Sequence, residues 1–521
     1  MSSALLEAAK FAIHAGKKGG NTLPIELAGY AWLLHSGYIA IPTDKEGGFA
    51  LVLRNDLVDV HTHLLSGAWY SSFGSGSTIL EKTFASLSHR YLALAGEVSK
   101  VDSRISRQSI SNSLDFGHKH LASRLINTIK THKGAGAIAF RPVHASSSHC
   151  FLGLMSWVSL VISESLAKFS HLISSSDQFI KRLDNFRVGP QDFILHMDVK
   201  DLFMVGKPAF LVHHTSLIVP SKIRHVFRQA LSFLLNNQYI TSKIFPNQFW
   251  KVESGTGMGL RSSADVANAA FLHFVEQCGL GLLCSASRLR YGIKHYVRYF
   301  DNLLFICEPA FDKVKQLKLH LEQHLSPYRC VLGEVSSVGV AFLDLHIVKD
   351  AQYECTGKLS YHPLIKPTSL RQVLSVYSHH HSSIHGAWMK AYIHNMRKHA
   401  SSLSHFRFAQ SEILSRLLSG GVDRSIVDAL QVATAHTFKI DIPGLSQCSS
   451  TVASTHEQAR SFYLKLPFHS LYASALDKVL RNFSNHRGYR ALVKQHLGSD
   501  INFRTAWCLR DPTLISLVGV L

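Results

Sequence analysis

The clearest pattern along the chain is a pair of short apolar runs, each interrupted by acidic residues. The first run covers residues 193–203 and contains Asp198, and the second covers residues 296–306 and contains Asp301. Apolar runs of this length are typical of buried β-strands. A carboxylate inside such a run is costly to bury unless a cation or a partner neutralises it. The pattern therefore predicts two strands that lie side by side in one sheet and direct both carboxylates at shared metal ions.

Helical patterns lie on both sides of the first run. Apolar spacing predicts long helices over residues 79–94 and 150–182. Ser221 is predicted to cap a further helix, which runs through Leu235. Strand and helix patterns alternate over residues 190–350. The pattern therefore indicates an α+β fold with a mixed or antiparallel central sheet.

A glycine-rich segment separates the two acidic runs. It contains Gly255, Gly257 and Gly259, and a stretch rich in Ala, Val and Asn follows as far as Phe271. Because glycine has no Cβ, the backbone can approach a ligand closely at these positions. Glycine-rich turns are common, so the segment alone is a weak signal. The stretch after it is typical of a helix packed under the sheet.

The order of these parts, a first Asp strand, a glycine loop with a helix and a second Asp strand, resembles the palm of a reverse transcriptase. Among such enzymes the chain is most similar to those of Penelope-like retroelements. Further segments match that family in the right order: Thr43-Asp-Lys-Glu-Gly-Gly48, Lys130-Thr-His-Lys133 with Arg141-Pro-Val143, Phe342-Leu-Asp344-Leu-His-Ile347, and Lys366-Pro-Thr368 with Ser378-His-His380. The resemblance covers roughly residues 30–410. Many members of the family end in a GIY-YIG endonuclease, which we do not expect in this chain because it stops at Leu521.

The resemblance implies a right-hand polymerase with fingers, palm and thumb, in which a small palm β-sheet is flanked by helices. The implied divisions are an N-terminal helical extension (1–40), fingers with the fingers–palm junction (41–190), the palm (191–350), the thumb (351–440) and a C-terminal extension (441–521). The implied activity is RNA-directed DNA synthesis from a primer 3′-OH. Its partners would be an RNA template, a DNA or RNA primer and dNTPs.

By this resemblance Asp198 and Asp301 are the catalytic carboxylates and the ligands of two Mg²⁺ ions, with Mn²⁺ as an alternative. Such ions lie about 3.5–4 Å apart and clamp the attacking and leaving oxygens. Asn302 stands where the family carries a second Asp, and its neutral oxygen can still bind a hard cation. This departure leaves a second hypothesis open, a catalytically inactive RNA-binding protein with the same fold.

The resemblance also assigns residues that bind the incoming nucleotide. Lys130, Lys133 and Arg141 would contact the triphosphate, Lys as a point charge and Arg through its planar fork. Gly257 and Gly259 would support the templating base and the nucleotide sugar. Without the palm motifs, a basic surface hairpin would be the better interpretation of the Lys and Arg residues.

Phe203 lies where the family places its steric gate, an aromatic ring that excludes a ribose 2′-hydroxyl. The alternative is that Phe203 is a core residue. The gate hypothesis disfavours an RNA-dependent RNA polymerase, which is the third hypothesis for the chain.

Four residues are assigned to the nucleic acid by the same resemblance. Phe342 and Asp344 match the primer grip, although Asp344 is equally well explained as an acid that caps a turn. Lys366 and His380 match the entry to the thumb.

Composition supports a polyanionic partner. Lys and Arg exceed Asp and Glu by 55 − 35 = 20 residues, and the pI is about 9.6. Phosphates release counterions when they bind Lys and Arg. The eight cysteines form no CxxC pair, which predicts free thiols in a reducing compartment and no zinc knuckle. We therefore expect an intracellular and nuclear protein without a membrane span. The sequence does not determine its oligomeric state.

Overall fold

The computed structural model of the chain describes residues 36–42, 44, 49–130, 140–282, 284–323, 325–364, 382–419, 422–438, 460–467 and 501–508. The chain forms two compact units. The larger unit comprises residues 38–371 and 396–411, and the smaller unit comprises residues 1–37, 372–395 and 412–521. The predicted fingers and palm thus lie in one unit, and the predicted thumb is divided between the two.

The strands of the described residues are, in chain order, β1 (Tyr38–Pro42), β2 (Phe49–Leu53), β3 (Tyr70–Ser75), β4 (Ala122–Ile129), β5 (Phe140–Ala145), β6 (Phe193–Val199), β7 (Tyr239–Ser242), β8 (Gln248–Val252), β9 (Ile293–Tyr299), β10 (Asn302–Cys307), β11 (Cys330–Ser336), β12 (Gly339–Phe342), β13 (Leu345–Val348), β14 (Ser360–Pro363), β15 (Arg460–Pro467) and β16 (Ile501–Cys508).

The α-helices of the described residues are α1 (Arg54–Leu65), α2 (Ser77–Val101), α3 (Arg107–Ser111), α4 (Leu152–Leu166), α5 (Ser176–Leu183), α6 (Pro208–Ile218), α7 (Ser221–Asn236), α8 (Ser263–Phe271), α9 (Ser285–Arg290), α10 (Phe311–Gln323), α11 (Ala351–Thr356), α12 (Ser382–Lys398), α13 (Leu403–Ser419) and α14 (Arg424–Phe438). A π-helix (Leu272–Gly279) continues directly from α8, and short 3₁₀ turns cover Asn112–Phe116, His118–His120 and Leu202–Met204.

The centre of the larger unit is an antiparallel sheet in the order β11-β6-β10-β9, which we call the palm sheet. Among the strands of this sheet, β6 comes first in the chain, the β9–β10 hairpin follows and β11 comes last. In space the order is therefore fourth, first, third, second. This is the arrangement of a split β-α-β unit, in which helical connections cross one face of the sheet.

Both faces of the palm sheet are buried, because alternate residues of each strand point to opposite faces. Met197 belongs to one buried cluster with Phe271 of α8 and Leu317 of α10. Ile194 belongs to the cluster on the opposite face, together with Phe179 of α5. The predicted α+β class, with a small palm sheet flanked by helices, is confirmed.

A second sheet of the larger unit has the order β3-β8-β7-β4-β5. In it β4 and β7 are parallel, and the other neighbours are antiparallel. Helices α2, α4 and α7 cover this sheet through a buried cluster that includes Tyr91, Trp157 and Phe233. β1 and β2 form a hairpin, and β12, β13 and β14 form a small antiparallel sheet.

The structure corrects the extent of both acidic runs. β6 ends at Val199, and Asp201 soon after it has φ +50°, a left-handed conformation that strands do not use. In the second run the chain reverses between β9 and β10, so Asp301 lies in the turn of a hairpin and not inside a strand. The prediction of one continuous strand was wrong in each case.

Two helix predictions also change. The pattern over residues 150–182 folds as two helices, α4 and α5, with residues 167–175 between them. Helix α7 begins at Ser221, but Pro220 holds the N-cap position and no side chain caps the helix.

In the smaller unit the structure describes most of α12, the second part of α13, all of α14, and strands β15 and β16, which pair in parallel. The predicted N-terminal extension lies almost wholly outside the described residues. Within the described part of the chain, no helix is both long enough and apolar enough to cross a membrane.

Candidate active site

Asp198 and Asp301 come together at one end of the palm sheet. Asp198 pairs directly with Asn302 across β6 and β10, and the Val199 amide donates a 2.8 Å hydrogen bond to the Asp301 carbonyl. Directly opposed residues of an antiparallel pair have Cβ atoms about 4.5–5.5 Å apart. The Asp198 side chain is exposed and Asp301 is half-buried. The end of β6 carries one carboxylate and the neighbouring β9–β10 turn carries the other, at one end of the sheet where neither residue is fully buried.

Asn302 orients the Asp301 carboxylate. Its Nδ2 donates a 3.0 Å hydrogen bond to Asp301 Oδ1, and its Oδ1 lies 3.3 Å from His196 Nε2. His196 lies on the same face of β6 as Asp198, two residues before it. The Asn302 oxygen keeps a second lone pair beside the His196 contact. In this arrangement Asn302 is first a hydrogen-bond partner of Asp301.

The donor set at this edge fits a magnesium ion. Among the described residues, no group of three or more His, Cys, Asp or Glu side chains converges as a metal site would. Mg²⁺ does not need such a cage, because it keeps several waters and binds through one or two carboxylates together with substrate phosphates. Two carboxylates beside a neutral amide are therefore sufficient for an ion that arrives with a nucleotide.

The turn that carries Asp301 is strained and is supported from beneath. Phe300 has φ +49°, a conformation that bulky residues rarely adopt. Its carbonyl accepts a 3.1 Å hydrogen bond from Arg298 Nη1. The Arg298 side chain is fully buried and forms an ion pair with the fully buried Glu276, at 2.6 Å between Nε and Oε1. A buried ion pair thus fixes the residue directly before Asp301.

Glu276 lies in the π-helix and collects further partners. Tyr296 donates a 2.5 Å hydrogen bond to Oε1, and His171 Nε2 lies 3.0 Å from Oε2. Burial alone would raise the pKa of Glu276, but the charges of Arg298 and His171 outweigh it and lower the pKa to about 2. Glu276 is therefore ionised at neutral pH, and the cluster is a charged support for the hairpin.

Sequence reasoning missed this support, although a signal was present. Arg298 sits inside the apolar run that leads to Asp301, and Glu276 interrupts the apolar stretch Phe271-Leu-His-Phe-Val. Opposite charges in two apolar segments of one domain are seldom buried unless they pair. The same argument that singled out Asp198 applied to this pair.

The glycine loop packs against β5. Gly257 and Gly259 have positive φ, of +66° and +112°. A Cβ on Gly257 would lie 2.3 Å from His144 Nδ1, and one on Gly259 would lie 2.6 Å from the His144 carbonyl oxygen. The close approach that these glycines permit is thus to protein, whereas the sequence had predicted an approach to a ligand. Burial lowers the pKa of His144 to about 4, so its ring is neutral where it meets the Tyr70 hydroxyl at 2.9 Å.

Phe203 lies beside this loop. It belongs to the 3₁₀ turn after β6, and its carbonyl accepts a 2.7 Å hydrogen bond from the Thr256 amide. A Cβ on Gly255 would lie 2.4 Å from the same carbonyl oxygen. The Phe203 ring is half-buried and packs against the palm core. The structure therefore joins the predicted gate to the glycine loop, and the ring keeps a surface that a nucleotide could meet.

The predicted triphosphate ligands lie on the β4–β5 hairpin. Arg141 is on β5, and its Nη1 lies 3.2 Å from Asp44 Oδ1, with the Arg141 side chain 33% exposed. Lys130 directly follows β4. Lys133 lies outside the described residues. Arg141 and His144 both lie on β5, and His144 contacts the glycine loop. The same strand therefore carries Arg141 and supports the loop.

Phe342 requires a correction. Its side chain has no exposed surface and packs edge-on against Phe179, with ring centroids 5.0 Å apart. A side chain buried in the core cannot contact nucleic acid, so the prediction for Phe342 was wrong in this respect. The residue stabilises the sheet β12-β13-β14 against the palm.

Asp344 forms a cross-link within the larger unit. It accepts a hydrogen bond from Ser176 and forms an ion pair with His399 at 3.3 Å. Burial opposes ionisation, but these hydrogen bonds outweigh it and lower the pKa of Asp344, while Asp344 raises the pKa of His399. Asp344 is therefore held by side chains from two other segments of this unit. Lys366 and His380 lie outside the described residues.

Comparisons with known proteins find only distant structural similarities. No protein-family model matches the chain, and no curated protein matches it. Among solved structures it is similar to an apo telomerase from Candida tropicalis truncated from its C-terminal domain, at 14% identity over 47% of this chain and 59% of that chain, with a TM-score of 0.32. The chain thus spans little more than half the length of that protein.

Two further solved structures are similar over more of the chain. A telomerase from Candida albicans in complex with a fragment of telomeric RNA is 10% identical over 91% of this chain and 78% of that chain, with a TM-score of 0.41. The RNA-dependent RNA polymerase of a human picorbirnavirus is 12% identical over 61% of this chain and 60% of that chain, with a TM-score of 0.39. The palm sheet itself establishes an α+β fold with a split β-α-β strand order.

Proposed function

We propose that the chain is an RNA-directed DNA polymerase that extends a primer 3′-OH with dNTPs. The observation that carries this proposal is the placement of Asp198, near the end of β6, beside Asp301 in the β9–β10 turn, at one accessible end of the palm sheet. Two carboxylates at such an edge are what nucleotidyl transfer requires. The test is primer extension on poly(rA)/oligo(dT) with Mg²⁺ and with Mn²⁺.

The roles of the residues follow from their positions. Asp198 and Asp301 would hold two Mg²⁺ ions, and such ions would supply activation of the primer hydroxyl and charge stabilisation of the leaving group. Arg141 would receive the triphosphate by exchanging its partner Asp44 for phosphate oxygens. The Phe203 turn, fixed to the glycine loop by Thr256, would set the space for the sugar.

The second candidate function is an inactive RNA-binding protein with the same fold. One observation favours it: Asn302 contacts Asp301 and His196 and stands where the resembled family has its second carboxylate.

Our polymerase proposal also includes an origin in a Penelope-like retroelement and a nuclear location. Its partners are an RNA template, a DNA or RNA primer and dNTPs. These parts of the proposal rest on the motifs Thr43–Gly48 and Lys130–Val143 and on the positive charge.

Replacing Asn302 with Asp distinguishes the two candidates. The change removes a donor to Asp301 and adds a like charge beside it, so the protein without cations should be less stable and should bind a cation more tightly. We expect Mg²⁺ to raise the melting temperature of Asn302→Asp more than that of the wild type. Mg²⁺-dependent extension should rise or stay level.

The same substitution at the exposed Asn236 is the control, since no Asp or Glu stands within ten residues of it in the chain. If neither the wild type nor Asn302→Asp extends any primer with either metal, the inactive RNA-binding protein is the better account.

Replacing Phe203 with Val tests sugar selection. If the ring excludes a 2′-hydroxyl by its bulk, its truncation should raise rNTP incorporation relative to dNTP incorporation by about tenfold or more, corresponding to about 1–3 kcal/mol of lost discrimination. The measurement is single-nucleotide incorporation with dTTP and with UTP, alongside the melting temperature.

Phe193→Val is a matched control, because Phe193 is half-buried against the same palm core at the far end of β6. A Phe203→Val protein that loses stability and keeps wild-type sugar discrimination would show that the ring is only a core residue.

A further inference from the structure

A cavity separate from the carboxylate edge lies between the β1–β2 hairpin and the five-stranded sheet. Its volume is about 480 Å³, and β1, α1, β4 and the segment after β7 form its walls. Pockets that bind small ligands have volumes of about 300–1,000 Å³. None of the residues predicted to bind metal or nucleotide is part of its lining. The cavity is therefore a candidate site with an occupant of its own.

The rim of the cavity is positively charged. Arg54, Arg124 and Lys243 come from three different elements, and all three side chains are exposed. The described lining contains no Asp or Glu. Within the part of the chain that the structure describes, none of the three forms an ion pair with a carboxylate. Uncompensated cations around an opening favour an anionic ligand.

The interior is apolar with a small polar floor. Ile39, Ile41 and Leu125 are among the aliphatic residues that line it. Asn127 and His61 supply the polar atoms and are only 5% and 4% exposed. Aliphatic walls above a few buried polar groups suit a flat, partly polar ring.

The floor has an acceptor that lacks a donor. His61 Nδ1 donates to the Leu57 carbonyl at 3.1 Å, and burial lowers the pKa of His61, so its Nε2 is an unprotonated acceptor. Asn127 Nδ2 lies 3.4 Å from both ring nitrogens of His61. Asn127 Oδ1 then has no partner among the described residues. A buried acceptor without a donor is costly, and an N–H group of a bound ring would remove that cost.

We propose that this cavity binds one nucleotide of a single-stranded RNA. The base would enter between the aliphatic walls and donate an N–H to Asn127, and the adjoining phosphates would meet Arg54, Arg124 and Lys243. Every RNA base carries an exocyclic or ring N–H, so the site would hold bases with little sequence preference. The identity of the strand rests on the proposed function, but the binding itself requires neither Asp198 nor a metal ion.

The rim is tested by the salt dependence of RNA binding. The double variant Arg54→Gln with Lys243→Gln should lower the slope of log affinity against log salt by about 1.4, since each phosphate contact on a single strand contributes about 0.7. Fluorescence anisotropy with a labelled single-stranded RNA, in EDTA, measures this slope. Lys315→Gln with Lys318→Gln on α10 removes the same charge and should change the slope less. Equal changes in both variants would overturn the proposal.

The interior is tested by photo-crosslinking. A single-stranded RNA with one 4-thiouridine should crosslink to β1 or β4 in the full-length chain. Ile39→Trp, which enlarges a side chain of the aliphatic wall, should reduce these crosslinks at least tenfold at an unchanged melting temperature. Asn127→Leu, which keeps a similar volume and removes the amide, should also reduce the crosslinks and covers the case in which Ile39→Trp fails to fold.

Crosslinks that map only outside the cavity, or that persist in a folded Ile39→Trp protein, would overturn the proposal. Competition by UMP as strong as that by the RNA strand would overturn the assignment to a strand. Because all these measurements run without metal or extension, an enzyme that fails to extend primers and still shows the crosslinks would contradict the proposed function and leave this site intact.

Discussion

Replacing Asp198 with Asn is expected to abolish primer extension while RNA binding is retained. The carboxylate is exposed at the end of β6, so its substitution removes a metal ligand with little effect on packing. Loss of metal-based stabilisation of the transition state is worth several kcal/mol, and about 4 kcal/mol corresponds to a rate about 10³-fold lower. Extension rates and RNA affinity of the same preparation give the two quantities.

Asp201→Asn is the matched control for this prediction. It makes the same chemical change three residues further on, at an exposed position with φ +50°, a conformation that Asn tolerates well. Its extension rate should stay within about threefold of the wild type. An Asp198→Asn rate that equals the Asp201→Asn rate would remove Asp198 from the catalytic site.

Replacing Glu276 with Gln is expected to lower the free energy of unfolding by about 3–5 kcal/mol. The substitution leaves Arg298 as a buried charge without its carboxylate, and breaking a buried pair on one side costs about this much. Urea unfolding measures the change. Glu97→Gln, at an exposed pair with Lys100, is the control and should cost about 1 kcal/mol or less.

The pH dependence of stability has a defined sign at this pair. The pKa of Glu276 is lowered from 4.5 to about 2 in the folded protein. A carboxylate with a depressed folded pKa contributes stability that is full above the unfolded pKa and is lost as the pH falls through the folded one. Stability should therefore fall between about pH 4.5 and pH 2 more steeply in the wild type than in Glu276→Gln. If the wild type and Glu276→Gln lose stability equally over this pH range, Glu276 is not ionised in the folded protein.

Glu276→Gln should also change the metal requirement of the active site in protein that remains folded. Arg298 fixes the Phe300 carbonyl next to Asp301, so a weakened Arg298 position loosens the turn that carries the carboxylate. We expect the Mg²⁺ concentration for half-maximal extension to rise in Glu276→Gln and to stay constant in Glu97→Gln. A purely structural pair would lower stability without changing the metal requirement.

The strands of the palm sheet could be predicted because burial on both faces leaves long apolar runs. The runs around Asp198 and Asp301 gave the strands and their charges. The apolar runs did not predict the turn at Phe300 and Asp301, because Phe rarely adopts a left-handed conformation and so is not a turn signal. The pairing of Asp198 with Asn302 depends on register, which is a tertiary property and is not written in either run alone.

The sequence analysis also failed to predict which side chains pack against each other. Phe342 shares one face of a short apolar strand with Val340, and both are buried. That pattern already favoured a buried position for Phe342 over contact with nucleic acid. The glycine loop was recognised, but its neighbour His144 lies over 100 residues earlier and could not be assigned to it. Long-range packing decided both roles.

The most direct test of the account is templated addition of a single nucleotide to a primer annealed to a defined RNA. Wild-type protein should add only the complementary dNMP, should require Mg²⁺ or Mn²⁺, and should lose this activity in Asp198→Asn and in Asp301→Asn. No addition by the wild type with either metal, or undiminished addition by both variants, would contradict the proposal that Asp198 and Asp301 form a polymerase active site.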